Sequence, residues 1–140
     1  MIQVVSAMVV QDRRLLLTQR TRWDQHHPLR WETPGGKVES EESHHEALRR
    51  ELREELGVEV ASINDHPVWA GAVARPGRED VFLTLYWTEL AGTPRPAEGQ
   101  GMGWFTESEF IGLGANLMPG NEKAFSCMVA YLDRAKWGEL

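Results

Sequence analysis

The stretch from Ser40 to Gly57, SEESHHEALRRELREELG, constrains the fold more than any other part of this chain. Leu48, Leu52 and Leu56 recur every four residues, which places them on one face of a helix. Ser40 is a natural N-cap and Gly57 a natural stop, so the spacing predicts a helix over Glu41–Leu56. An apolar stripe of this kind has to be buried against another layer. The same helix is crowded with carboxylates. If Glu51 sets the zero of angle and each residue turns roughly 100°, Glu54 falls at about −60° and Glu55 at about +40°. The three lie at the border of the leucine stripe, half sheltered, while Glu42, Glu46, Arg49 and Arg53 take the far side. Each like-charge pair at i,i+3 or i,i+4 costs a few tenths of a kcal/mol. One reading is a solvated face neutralised by Arg49, Arg50 and Arg53. The other is a site for a hard divalent cation such as Mg²⁺, which takes carboxylate oxygens, keeps several waters and recruits phosphate oxygens.

The rest of the chain reads as strands with one further helix. Residues 2 to 10 and 14 to 19 are apolar runs parted by QDR, the pattern of a hairpin. Residues 21 to 34 are irregular, and Pro34-Gly35-Gly36 signals a turn. Residues 58 to 73 and 81 to 90 read as strands around an ARPGRED turn, GTPRPAEGQG as a loop, and Gly103 to Phe105 as a short strand. Phe125, Met128, Val129 and Leu132 mark a helix over residues 121 to 137. Strands mixed with two good helices indicate a layered α/β or α+β domain, and 140 residues suit one domain, 1–140.

The net charge of −6, with no basic run, argues against duplex nucleic acid as a partner. It leaves room for a small phosphorylated ligand, because a bound metal supplies positive charge. The single cysteine, Cys127, has apolar neighbours and reads as a buried structural residue; no disulfide can form within the chain, which fits a reducing compartment. MIQVVSAMVV is too short to span a bilayer and lacks a basic start, so it reads as a core strand of a cytoplasmic protein.

The context of the carboxylates decides between the two readings of the helix. Gly36, Glu42, Arg50, Glu51, Leu52, Glu54, Glu55, Gly57 and Val58 stand in the pattern Gly-x5-Glu-x7-Arg-Glu-U-x-Glu-Glu-x-Gly-U, where U is apolar. This resembles the signature box of the Nudix hydrolases, with no position missing. The resemblance implies an α/β/α sandwich around a mixed sheet, with the box as loop–helix–loop, and hydrolysis of a diphosphate linkage in a nucleotide. It implies that Glu51, Glu54 and Glu55 hold Mg²⁺ (or Mn²⁺), aided by the Gly36 carbonyl. Glu42 and Arg50 would orient loop and helix, and a helix or loop glutamate would take the proton of the attacking water. Ser43, His44 and His45 are adjacent in a helix and do not face each other, so they make no nucleophile–base pair.

Shorter words are similar to the MutT-type branch, which removes oxidised guanine nucleotides. Glu98 in Glu98-Gly99-Gln100 is by that similarity a further metal ligand or base, against the reading of a plain loop residue. Asn121 in Pro119-Gly120-Asn121-Glu122 would read the base, against the reading of a helix cap. Arg20 and Arg78 would contact phosphate or nucleotide, and Trp23 would stack on a base, against plain surface or packing roles. Trp31 and Trp104 read as core. The expected reaction is hydrolysis of a (d)NTP to monophosphate and pyrophosphate, with 8-oxo-dGTP a candidate. ADP-ribose, a nucleotide sugar, a dinucleoside polyphosphate or capped RNA are the rival substrates, and a catalytically silent nucleotide sensor is the rival of another class. Oligomeric state is not readable from the sequence.

Overall fold

A computed structural model of the chain describes residues 1–97 and 99–135. Strand β1 (Ile2–Met8) is followed by β2 (Val10–Gln11) and β3 (Arg14–Gln19), then by β4 (Trp31–Glu32) and β5 (Gly35–Lys37). Helix α1 spans His44–Leu56. Three strands come next, β6 (Val60–Ile63), β7 (Trp69–Val73) and the long β8 (Val81–Leu90), and then β9 (Gly101–Phe105). Helices α2 (Glu107–Gly112) and α3 (Glu122–Ala135) close the described chain.

The strands form two sheets. In the larger, β5, β1 and β8 are neighbours, with β1 parallel to β8 and antiparallel to β5. Both β6 and β7 run antiparallel along the other edge of β8. In the smaller, β3 pairs with β2, β4 and β9, all antiparallel. Alternation along the strands sends side chains to two helical layers. Val5 and Ala7 of β1, Leu16 of β3 and Tyr86 of β8 join Ala47, Leu48, Leu52 and Leu56 of α1 in one core. Met8, Leu15, Leu17 and Leu85 face the opposite way, onto Phe110 of α2 and Phe125, Met128 and Leu132 of α3. The result is the expected sandwich around a mixed sheet.

Four local expectations are corrected. The hairpin is confined to β2 and β3, turning through Asp12 and Arg13 at φ 49° and 62°. Residues 2 to 8 leave it for the interior of the other sheet, because β1 is buried on both faces over Val5–Met8 and needs a strand on either side. Pro34-Gly35-Gly36 is not a reversal. Gly35 and Gly36 are paired in β5, and a Cβ on Gly35 would strike the Val5 carbonyl, so the glycine serves close approach. The N-cap of α1 is Ser43 rather than Ser40. Ser43 Oγ accepts from Glu46 N–H at 3.0 Å and Glu46 Oε1 from Ser43 N–H at 3.0 Å, a reciprocal capping box. Residues 58 to 73 form two strands, because Asp65-His66-Pro67 interrupts the ladder. Pairing resumes where Val68 N–H donates to Leu85 O at 2.7 Å.

Gly57 ends α1 as expected, at φ 57° and ψ 32°, with its N–H returned to Arg53 O. Strand β9 starts two residues before Gly103, and α3 one residue after 121, while 136 and 137 lie outside the described residues. Cys127 is half-buried, its thiol donating to Val68 O at 3.3 Å. Among the described residues no helix is long and apolar enough to cross a membrane.

Leu52 is fully buried at the centre of the leucine stripe. Leu52→Ala is expected to cost about 2–5 kcal/mol through lost burial and a residual cavity. Urea unfolding checks this as a lower midpoint at unchanged slope; a loss below about 1 kcal/mol would contradict the packing described.

Candidate active site

Two carboxylates of α1, together with Glu42 before it, are organised by one cation. Arg50 Nε donates to Glu42 Oε2 at 2.7 Å and Nη2 to Glu42 Oε1 at 2.9 Å, a two-pronged pair. Its Nη1 reaches Glu51 Oε1 at 2.9 Å and Glu54 Oε2 at 3.3 Å, and Nη2 also binds the Lys37 carbonyl at 2.9 Å. Glu42 is therefore not on the far side of the helix. It precedes α1, and Glu41 at φ 64° turns the chain so that Glu42 folds back onto Arg50. The Arg50 hydrogen bonds hold the Glu42 carboxyl well below its ordinary range, at about 2. The same partners raise the Arg50 pKa further.

Glu51 lies against Gly36, so closely that a Cβ there would run into its carboxylate. Glycine is required at this point by contact rather than by φ. Burial pushes the Glu51 carboxyl up, and Arg50 opposes the shift. Glu54 is largely exposed, with 61% of its side chain accessible. Glu55 is half-buried. Its Oε1 accepts from Gln100 Nε2 at 2.7 Å and its Oε2 from Gly35 N–H at 3.4 Å. Burial raises its carboxyl to about 7, with the charge of Glu32 adding to the rise. Among the described residues no three acidic or imidazole groups gather around one point. Glu51 and Glu54 lean on Arg50, and Glu55 on Gln100 and Gly35. Carboxylate oxygens on consecutive helical turns, with a backbone cradle at Gly36, are the donor chemistry of a hard divalent cation.

Glu55, Gly35 and Gly36 line one side of a cleft of about 830 Å³. Its floor comes from Val4 and Ser6 of β1 and Leu83 of β8, and its far wall from Arg75, Arg78 and the Met118–Glu122 segment. Although the chain carries −6 overall, the cleft gathers Arg20, Lys37, Arg75, Arg78, His26 and His27 against Glu32, Glu55 and Glu122. Arg20, Arg78 and Asn121 line this cleft. Arg20 is already paired, with Glu32 at 2.6 Å and Asp24 at 3.4 Å. Asn121 also precedes α3 and its carbonyl accepts from Phe125 N–H at 2.9 Å, so its backbone starts the helix while the residue lines the cleft. Trp23 does not line the cleft. It is 65% exposed and its indole lies against Gly99. Glu98 lies outside the described residues. Ser43 is spent on the helix cap and His44 Nδ1 pairs with Tyr86 Oη at 2.9 Å, so no nucleophile–base pair forms there.

Sequence reasoning missed Glu32, Gln100 and the histidine turn. Glu32 carried no local signal, since its partner Arg20 is set by pairing of β3 with β4. Gln100 stood inside the Glu98-Gly99-Gln100 word, but its partner Glu55 is 45 residues away. His26 and His27 are held by Asp24, whose Oδ1 accepts from both backbone N–H groups at 3.0 and 2.9 Å.

Comparison with known proteins adds the family. The NUDIX domain matches residues 1–126. The chain is 38% identical over 111 residues to a CTP pyrophosphohydrolase of Escherichia coli (strain K12), covering 79% of this chain and 80% of that protein. It is 36% identical over 107 residues to a Mycobacterium tuberculosis (strain H37Rv) protein provisionally named 8-oxo-dGTP diphosphatase 2, covering 76% and 74%. The solution structure of the E. coli ORF135 protein superposes with a TM-score of 0.78 at 33% identity, covering 96% of this chain and 92% of that one.

The half-buried Glu55 gives a stability prediction. Its carboxyl lies near 7 in the fold against an ordinary 4.5, so folding favours the protonated form. The contribution is greatest below about pH 4.5 and is lost as pH rises through about 7. Glu55→Gln removes the ionisation and keeps the size, and the Gln100 amide can turn to accept from the new one. The metal-free variant is therefore expected to be more stable than the parent at pH 8, by roughly 1–3 kcal/mol. The advantage should fade towards pH 4.5 in urea titrations; a variant less stable at pH 8 than at pH 5, relative to the parent, would refute the assigned burial.

Proposed function

The chain belongs to the Nudix family, and we propose that it hydrolyses a nucleoside triphosphate to the monophosphate and pyrophosphate with Mg²⁺ as the metal. The observation that carries this reading is a cleft with carboxylates and a glycine cradle on one wall and arginines on the other. That is a receptacle for a polyphosphate and its counter-cation. Nudix hydrolases generally use divalent metals. Here Glu51, Glu54 and Glu55 with the Gly36 carbonyl, and Glu98 from its loop, are the groups we assign to hold one. Held there, such an ion would supply charge neutralisation for the diphosphate and would acidify a water.

The protein's own residues do the rest. Arg50 keeps Glu51 and Glu54 together despite their repulsion. Lys37, Arg75 and Arg78 supply positive charge for the phosphates, with Arg20 adding less because it is already paired with Glu32 and Asp24, and enclosure in the cleft strengthens that attraction. Glu55, sheltered and with its carboxyl near 7, is suited to take the proton of an attacking water near neutral pH. The water oxygen bonds to a phosphorus of the α–β bridge as the bridging P–O bond breaks, the water's proton passes to the carboxylate, and monophosphate and pyrophosphate leave; because water attacks directly, no covalent enzyme intermediate is needed. Asn121 offers an amide donor and acceptor side by side for a base edge. The triphosphate reading takes support from relatives named for CTP and for 8-oxo-dGTP. The role places the protein in the cytoplasm, among the nucleotides it would act on.

Product analysis with Mg²⁺ across 8-oxo-dGTP, dGTP, dCTP, CTP, ADP-ribose and a diadenosine polyphosphate tests the proposal. Monophosphate plus pyrophosphate is the expected outcome; AMP from ADP-ribose without triphosphate turnover would overturn the substrate class and leave the metal chemistry standing. A preference for 8-oxo-dGTP over dGTP would make Asn121 the next residue to mutate. Glu54→Gln, at an exposed position, is expected to cut turnover by about 10²–10⁴-fold without lowering stability; near-normal turnover would sink its place in the metal site.

A further inference from the structure

Glu55 differs from the other two box glutamates in what holds it. Glu51 and Glu54 are tied to Arg50, within their own helix. Glu55 is held from outside, by an amide on the loop that precedes β9. A carboxylate only accepts hydrogen bonds, so the Gln100 amide must present its N–H₂ to Oε1.

That amide is not on a loose loop. On one side, Arg95 N–H donates to Leu56 O at 2.8 Å and Ala97 N–H to Glu55 O at 3.1 Å, so the loop closes the exposed carbonyls at the end of α1. On the other, Gly101 is already in register with Gln19 of β3. Between them, Gly99 turns at φ 80°, with the Trp23 indole packed where a Cβ would be, and Gln100 N–H returns to Ala97 O at 3.0 Å. Gln100 therefore has its backbone set by two elements, and its side chain ends on the one box glutamate that lines the cleft.

We propose that Gln100 is a positioning residue for the reaction: its amide fixes the rotation of the Glu55 carboxylate so that Oε2 faces Gly35 and the cleft. This deepens the proposed function and rests on Glu55 belonging to the reacting site. Partners one step behind a metal or proton-transfer group commonly cost about 10–100-fold in affinity or activity when removed. Gln100→Met keeps length and removes the donor; Gln100→Asn keeps an amide but withdraws it by one methylene, and serves if the Met variant folds poorly.

The test measures Mn²⁺ affinity by electron paramagnetic resonance, and kcat and KM for the best triphosphate with Mg²⁺. The variants are Gln100→Met, Gln100→Asn, Glu55→Gln and the Gln100→Met/Glu55→Gln double. The expected result for each Gln100 variant is Mn²⁺ binding weakened and kcat lowered by about 10–100-fold, with KM changed less than about threefold. In the double variant the Gln100 change should add nothing to Glu55→Gln, because the group it positions is gone. A merely structural role would lower the unfolding midpoint and add its effect in both backgrounds. If both Gln100 variants keep Mn²⁺ affinity and kcat within twofold while Glu55→Gln is inactive, the inference is overturned and the site stands. If Glu55→Gln is itself near normal, the reading of the site fails first.

Discussion

Arg50 is the interaction on which the site depends. Three glutamates on neighbouring turns of one helix repel, and the leucines beside them prevent the helix from rotating them into water. Arg50 resolves the conflict with a planar fork that serves two of these carboxylates, Glu42 and the Lys37 carbonyl together. The guanidinium thereby joins the strand before the helix, the turn into the helix and the helix itself. Lysine, a point charge with three rotatable donors, could not span these partners in one geometry. The signature pattern thus couples the shape of the loop to the charge of the helix.

The end of α1 is settled by a second set of contacts. Gly57 closes the helix on itself, but the carbonyls of Glu55 and Leu56 are satisfied by the distant segment Arg95–Ala97. Fold completion and site completion are therefore one event. The same hydrogen bonds that stop the helix from ending in unpaired carbonyls also bring Gln100 to the Glu55 side chain.

What was legible in the sequence follows the range of the interactions. The leucine stripe, the Gly57 stop and the box are repeats or spacings within one helix, and the α/β/α layering follows from them and from the apolar strands. The cap at Ser43 was equally local, yet Ser40 also fits the rule. The choice between them is made by Glu42, which must stay outside the helix to reach Arg50. The turn read at Pro34-Gly35-Gly36 failed because glycine signals both reversal and close approach. Only the passage of β1, at Val5 and Ser6, shows which applies. Trp23 has the composition of a stacking residue, but its ring is taken up with Gly99 across the fold. Glu32 and Gln100 were invisible for the same reason, since their partners arrive by strand pairing and loop closure.

The cleft shows why net charge is a poor guide to a ligand's sign. A chain of −6 was read as unsuited to polyanions of duplex size, and that argument concerns a broad face. Inside the cleft the balance reverses, because Arg75 and Arg78 from one turn and Arg20 and Lys37 from two strands face a few carboxylates. Arg20 is already matched by Glu32 and Asp24, so its charge is largely spent on holding the histidine turn in place. Lys37, Arg75 and Arg78 are the other cations that line the cleft. On the proposed function, a polyphosphate between the two walls would be oriented before any chemistry, its charge against these cations and its scissile linkage where the sheltered carboxylate and the glycine cradle meet.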